Sequence, residues 1–199
     1  MGGYSVNSIE IVERAINELI IEFKDRRDYF FNEHDIHHVF YCKLSDLGDL
    51  IHPEYPTKKR FIRIRNKDMG HSYIEGEHCF EPDVKKGVRG HYDFVVLNQD
   101  FYNKYQSNFP RISNKRLNTN LDIDYKYIDV AIEFKYITDT FNLLEIEYDL
   151  FKLKQADEVK HKKLIIFTRR RKTDKNFEDS IKLLENLKKD ENEVNIKII

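Results

Sequence analysis

RGHYDFVVLN, residues 89–98, and YIDVAIEFKYI, residues 127–137, read as two apolar strands separated by a long polar segment. In a strand, side chains two apart share a face and neighbours point to opposite faces. The second segment therefore places Glu133 and Lys135 on one face and sends Phe134 into a core on the other. Asp93 stands at the head of the first strand. Two carboxylates and an ammonium gathered on a half-buried sheet need partners, because charges that leave water are costly alone. A divalent cation is one such partner, and Mg²⁺ prefers carboxylate oxygen.

Working outward, Ile9, Val12, Ile16, Leu19, Ile20 and Phe23 follow the helical period, with Ser8 placed to cap the helix. A second helical pattern runs from Tyr29 to about Leu50, as two helices or one long kinked helix, and Pro53 and Pro56 end it. KKRFIRIRN, residues 58–66, alternates apolar and basic residues like a half-exposed strand. Residues 66–88 read as irregular structure, and the polar, tyrosine-rich stretch 100–125 as an insertion that can hold a short helix. After the second strand, Asn142 and Glu145 form a capping box for a helix with Leu143, Ile146, Leu150 and Leu153 on its apolar face. KKLIIFTRR, residues 162–170, is an apolar strand of the kind covered on both sides. An amphipathic helix over 176–189 and the alternating strand EVNIKII, residues 193–199, follow. The predicted order is αβββαβαβ: an α/β fold with a central mixed sheet flanked by helices, read as a single domain over 1–199, with 1–28 as an N-terminal helical extension.

Composition narrows the function classes. The chain has 199 residues, 40% hydrophobic and 35% charged, with a formal net charge of -1. No global basic field is present, so any nucleic-acid contact has to come from local patches. The two cysteines, Cys42 and Cys79, do not make a disulfide framework. The start, MGGYSVNSIE, lacks the pattern of a secretory signal, and no apolar run approaches the roughly 20 residues of a membrane span. A reducing cytoplasm is the expected compartment. No Walker, GxGxxG or GxSxG motif occurs. His34, His38 and Cys42 have helical spacing compatible with zinc, but no second cluster completes a site.

Asp93 followed by Glu133-Phe134-Lys135 on a second strand, with a helix behind, resembles the PD-(D/E)XK nuclease superfamily over roughly residues 29–199. Tyr92 stands where the written motif has proline. The resemblance implies a restriction-endonuclease-like fold and metal-dependent hydrolysis of DNA phosphodiester bonds. It assigns Asp93, Glu133 and the Phe134 carbonyl to Mg²⁺, with Mn²⁺ as a substitute, and Lys135 to the attacking water or the scissile phosphate. Members often add a glutamate from the preceding helix, a role that falls here to Glu33. Lys152, Arg169 and Arg170 are the expected phosphate contacts, with Asp149 one helical turn from Lys152. Arg60, Arg63, Arg65, Arg111, Lys115, Arg116, Arg171 and Lys172 extend the basic candidates. Tyr102, Tyr105, Phe109, Tyr125 and Tyr127 are candidates for base stacking or for packing the insertion. The expected partner is nucleic acid, DNA in particular, with a second copy or a partner protein supplying specificity. The alternative is a catalytically silent nuclease-fold protein that binds nucleic acid or serves in assembly.

Overall fold

A computed structural model describes residues 7–63, 80–82, 88–105, 126–138, 143–169 and 175–199. Among these residues, six strands form one mixed sheet in the order β2-β1-β3-β4-β5-β6. They are β1 Ile51–Arg63, β2 Phe80–Pro82, β3 Val88–Leu97, β4 Ile128–Ile137, β5 Val159–Thr168 and β6 Asn195–Ile198. β1 runs antiparallel to β2 and β3, and β3 antiparallel to β4. β4, β5 and β6 run parallel to one another. The helices are α1 Ser8–Asp25, α2 Glu33–Lys43, α3 Gln99–Tyr105, α4 Leu143–Lys154 and α5 Lys175–Asp190.

The sheet separates two cores. On one face, Val12, Ile16, Leu19 and Phe23 of α1 and Ile36 and Phe40 of α2 pack on Phe94, Ile132, Phe134 and Phe167. On the other, Ile146, Leu150 and Leu153 of α4, Phe101 of α3 and Leu184 of α5 pack on Val95, Ala131, Leu164 and Ile166. β4 is buried on both faces over most of its length, which accounts for its largely apolar sequence. Among the described residues, no helix is long and apolar enough to cross a membrane.

Three expectations need correction. The helical pattern from Tyr29 to Leu50 is neither one long helix nor two: α2 is flanked by 3₁₀ turns at Arg27–Tyr29 and Ser45–Leu50. A capping box fixes the start of α2, with Asn32 accepting from the Asp35 N–H and Asp35 accepting from the Asn32 N–H. Second, Pro53 and Pro56 lie inside β1 and do not precede it. β2 pairs only with Phe61–Arg63, so among the described residues the rest of β1 is an edge, where a missing N–H is tolerated. Third, Ser8 is not the cap of α1; its hydroxyl donates to Asp129 Oδ2 at 3.2 Å. The irregular stretch 66–88 and the insertion lie mostly outside the described residues, apart from β2 and α3.

Candidate active site

The site grows from a local irregularity in β3. Tyr92 belongs to one core and Phe94 to the other, although two residues apart in a strand should share a face. The strand therefore rolls at Asp93. On β1 the register pairs Pro53 with Phe94 and Tyr55 with Tyr92, so Glu54 lies opposite Asp93. Glu54 has φ 50°, a left-handed conformation that non-glycine residues adopt at a cost. On the other side, the β3–β4 register runs from Leu97↔Ile128 to Phe94↔Ile132 and ends there. Beyond that point the Asp93 side chain replaces a backbone acceptor: the Phe134 N–H donates to Asp93 Oδ2 at 2.6 Å.

α2 closes the open end of this split. Its first residue, Glu33, accepts from the Tyr136 N–H at 3.3 Å and lies 3.7 Å from Lys135 Nζ. One turn later, His37 Nε2 lies 3.5 Å from Asp93 Oδ2, and its ring sits against Phe94 and Phe134. Tyr136 also ties down the approach to α2, its hydroxyl donating to the Phe30 carbonyl at 2.6 Å. Donor atoms of Glu33, His37 and Asp93 all lie within 4.8 Å of one another, a group able to hold a metal ion.

Glu133 and Lys135 share a face of β4, as the alternation requires, and both turn toward α4. They meet different partners there. Lys135 Nζ lies 2.9 Å from Asp149 Oδ2. Glu133 is 1% exposed, and its Oε1 lies 2.7 Å from Lys152 Nζ. Lys152, 4% exposed, also reaches Asp149 at 3.0 Å and donates to the His91 carbonyl at 2.6 Å. Its ammonium thus faces carboxylates and a carbonyl inside the protein, the opposite of a group presented to phosphate. Arg169 Nη2 lies 3.7 Å from Asp28, with the guanidinium over Phe31, beside the 3₁₀ turn that precedes α2. Arg170 lies outside the described residues, as do Arg65, Arg111, Lys115, Arg116, Arg171, Lys172, Phe109 and Tyr125. Tyr127 is buried and stacks on Phe101 at 4.7 Å, so it packs the body of the protein.

The electrostatics follow from an excess of acid. Glu33, Asp93, Glu133 and Asp149 share this space with the ammonium groups of Lys135 and Lys152. Burial pushes the Glu33 carboxyl up, and nearby Asp93 adds to this, outweighing Lys135, His37 and the Tyr136 N–H. Glu133 is pushed well above the ordinary carboxylate range by burial and then by Asp149, despite Lys152. Burial pushes Asp93 up as well, but His37, the Phe134 N–H and Lys135 outweigh it and hold the carboxyl below its usual value. Burial lowers both lysines, yet the surrounding carboxylates dominate and leave each above its ordinary value. Lys152 keeps its proton, because its ammonium meets Glu133, Asp149 and the His91 carbonyl.

Two features escaped the reading of the sequence. The pairing of Lys152 with Glu133 joins residues far apart in the chain and has no local signature. The approach of His37 to Asp93 has a partial one, its i+4 spacing from Glu33 on a single helix face. Comparison of the chain with protein-family models, curated proteins and solved structures finds no match.

Proposed function

We propose that this protein is a metal-dependent nuclease that hydrolyses phosphodiester bonds of DNA, with a restriction-endonuclease-like fold. The observation that carries the reading is the parting of β3 and β4 at Asp93, where Glu33 and Lys135 join an acid-rich, partly buried cluster. Such an excess of buried negative charge calls for a cation. A divalent ion held there would supply a nucleophilic water at neutral pH and stabilise charge on the phosphoryl oxygen.

The protein's own residues divide the remaining work. Asp93, ionised and oriented by the Phe134 N–H, anchors the cation. It belongs both to the set implied by the motif, Asp93 with Glu133 and the Phe134 carbonyl on Mg²⁺, and to the close group it forms with Glu33 and His37. Lys135, flanked by Asp149 and Glu33, keeps its proton at neutral pH, so it orients the water or neutralises phosphate and does not abstract a proton. Asp149 and Lys152 position Lys135 and Glu133 from α4. Arg169, just past the end of β5, and Arg170, outside the described residues, remain the proposed phosphate contacts.

The test is cleavage of plasmid, single-stranded and branched DNA with Mg²⁺ or Mn²⁺. Cleavage should be lost in Asp93→Ala and Lys135→Ala. Activity that survives unchanged in both variants overturns this site. A second reading is favoured by one specific observation: Lys152 already neutralises Glu133. A silent nuclease-fold protein would then bind nucleic acid in a salt-dependent manner without turnover under any metal condition.

A further inference from the structure

Two donor sets contain Asp93, and the geometry separates them. We propose that the cation is held by Glu33, His37 and Asp93, with Glu133 outside the coordination and countered by Lys152, and that this mixed nitrogen–oxygen set favours a first-row transition ion over Mg²⁺. The inference rests on the metal-dependent reading above and names the ligands and metal class of that same site.

Three observations carry it. First, the donor atoms of Glu33, His37 and Asp93 already lie within 4.8 Å of one another. Glu33 and His37 are one turn apart on α2, so a single rigid helix face presents both to Asp93.

Second, His37 Nε2 is shut off from solvent, and its charged partner, Asp93 Oδ2 at 3.5 Å, makes no hydrogen bond of good geometry with it. The rings of Phe94 and Phe134 hold the imidazole in place beside Asp93. A metal ion between His37, Asp93 and Glu33 would replace that long contact with direct bonds from each side chain.

Third, Glu133 already has its cation. Lys152 Nζ is 2.7 Å from it and is fixed by Asp149 and the His91 carbonyl, in a place where both Glu133 and Lys152 are almost wholly buried. Drawing Glu133 away to a metal would take from the buried Lys152 ammonium its shorter carboxylate contact, 2.7 Å against 3.0 Å to Asp149, a costly exchange in the interior. The imidazole then decides the class of metal. Mg²⁺ seeks oxygen ligands and keeps its waters, whereas transition ions accept imidazole nitrogen.

The experiment titrates the full chain with Mn²⁺ alone and reads the bound ion by electron paramagnetic resonance, including pulsed detection of ¹⁴N coupling. The expected result is bound Mn²⁺ with imidazole nitrogen coupling, retained against excess Mg²⁺. His37→Gln should abolish the coupling and weaken binding at least as much as the roughly 10–100-fold lost with an outer-shell partner. Glu133→Gln should keep the nitrogen coupling; if that variant does not fold, the wild-type coupling and the His37→Gln result decide. No bound Mn²⁺, bound Mn²⁺ without nitrogen coupling, or loss of binding in a folded Glu133→Gln but not in His37→Gln overturns the inference. DNA cleavage is scored separately. Mn²⁺ held through His37 with no cleavage of any DNA sinks the nuclease reading alone. Cleavage in Mg²⁺ that His37→Gln leaves intact, without nitrogen coupling in the wild type, sinks this inference alone.

Discussion

Gly90 is where the buried ion network meets the backbone. A Cβ built there would lie 3.0 Å from Lys152 Cδ, 3.2 Å from the Tyr148 hydroxyl and 3.5 Å from Thr57 Cγ2. The missing side chain leaves a channel for the Lys152 stem, whose ammonium then reaches the carbonyl of the next residue, His91. Lys152 has little freedom to retreat, because Glu133 and Asp149 hold its other end. Gly90→Ala should therefore behave as an overpacked core position and cost about 1–3 kcal/mol, read as a lower urea midpoint. An unchanged midpoint would mean that the Lys152 stem moves aside freely and that the network is not rigid. Glycine at 90 can be read off the sequence, but its reason cannot, since that lies in a lysine 62 positions away. The same holds for Asp93. Strict alternation would put it on the face of His91, but the roll of β3 opposite Glu54, at φ 50°, turns its carboxylate to the Phe134 N–H. Glu54 is not a residue type that announces a left-handed backbone.

The elements were most legible where one physical signal dominated. α1, β4, β5 and α5 show clear periodicity or unbroken apolar runs, and their positions agree closely with the pattern. The stretch from Arg27 to Arg63 was harder, because prolines usually interrupt structure and here sit on a strand edge. How α1 is held on the sheet depends on a pairing the sequence does not display. Glu13 is an ion-pair partner of Lys163 on β5 and of Lys197 on β6, the latter at 3.3 Å. Burial alone would raise the Glu13 carboxyl, but hydrogen bonds and charge from both lysines hold it below its ordinary value of 4.5. A carboxyl depressed in the folded state stabilises the fold above its unfolded pKa, and that contribution disappears as pH falls through the folded value. Glu13→Gln should thus be less stable than the wild type near neutrality, and the two should converge as the medium is acidified from about pH 4.5 downward. Denaturant melts at a series of pH values measure this. A gap between the two proteins that stays constant down to strong acid would show that Glu13 acts by packing and not by charge.

At the scale of the whole molecule, a formal net charge of -1 hides a concentrated local imbalance. The acid excess between β3, β4, α2 and α4 opposes folding unless a cation joins it. Glu33 reports the strain best, because its carboxyl is raised by burial and by Asp93. The sign is opposite to that of Glu13: a carboxyl raised in the folded state favours folding while protonated, and that advantage is lost as pH rises through the folded pKa. At neutral pH and without metal, Glu33→Gln should therefore raise the unfolding temperature, since the amide oxygen can still accept from the Tyr136 N–H while the buried charge is gone. A divalent cation reverses the order. Binding to the folded state alone stabilises by about 2.7 kcal/mol when the free ion is at 100 times its dissociation constant, or about 5–10 °C in a chain of this length. The wild type should gain that increment and Glu33→Gln should gain much less, so the two melting curves cross as Mn²⁺ is added. Differential scanning calorimetry with and without Mn²⁺ tests the crossing directly. A wild-type midpoint that ignores the ion, or a Glu33→Gln protein that responds equally, would remove Glu33 from the metal site. Crossing curves would show a site whose folding cost in the empty state is offset by the ion it binds, the thermodynamic signature of residues arranged for function and not for stability.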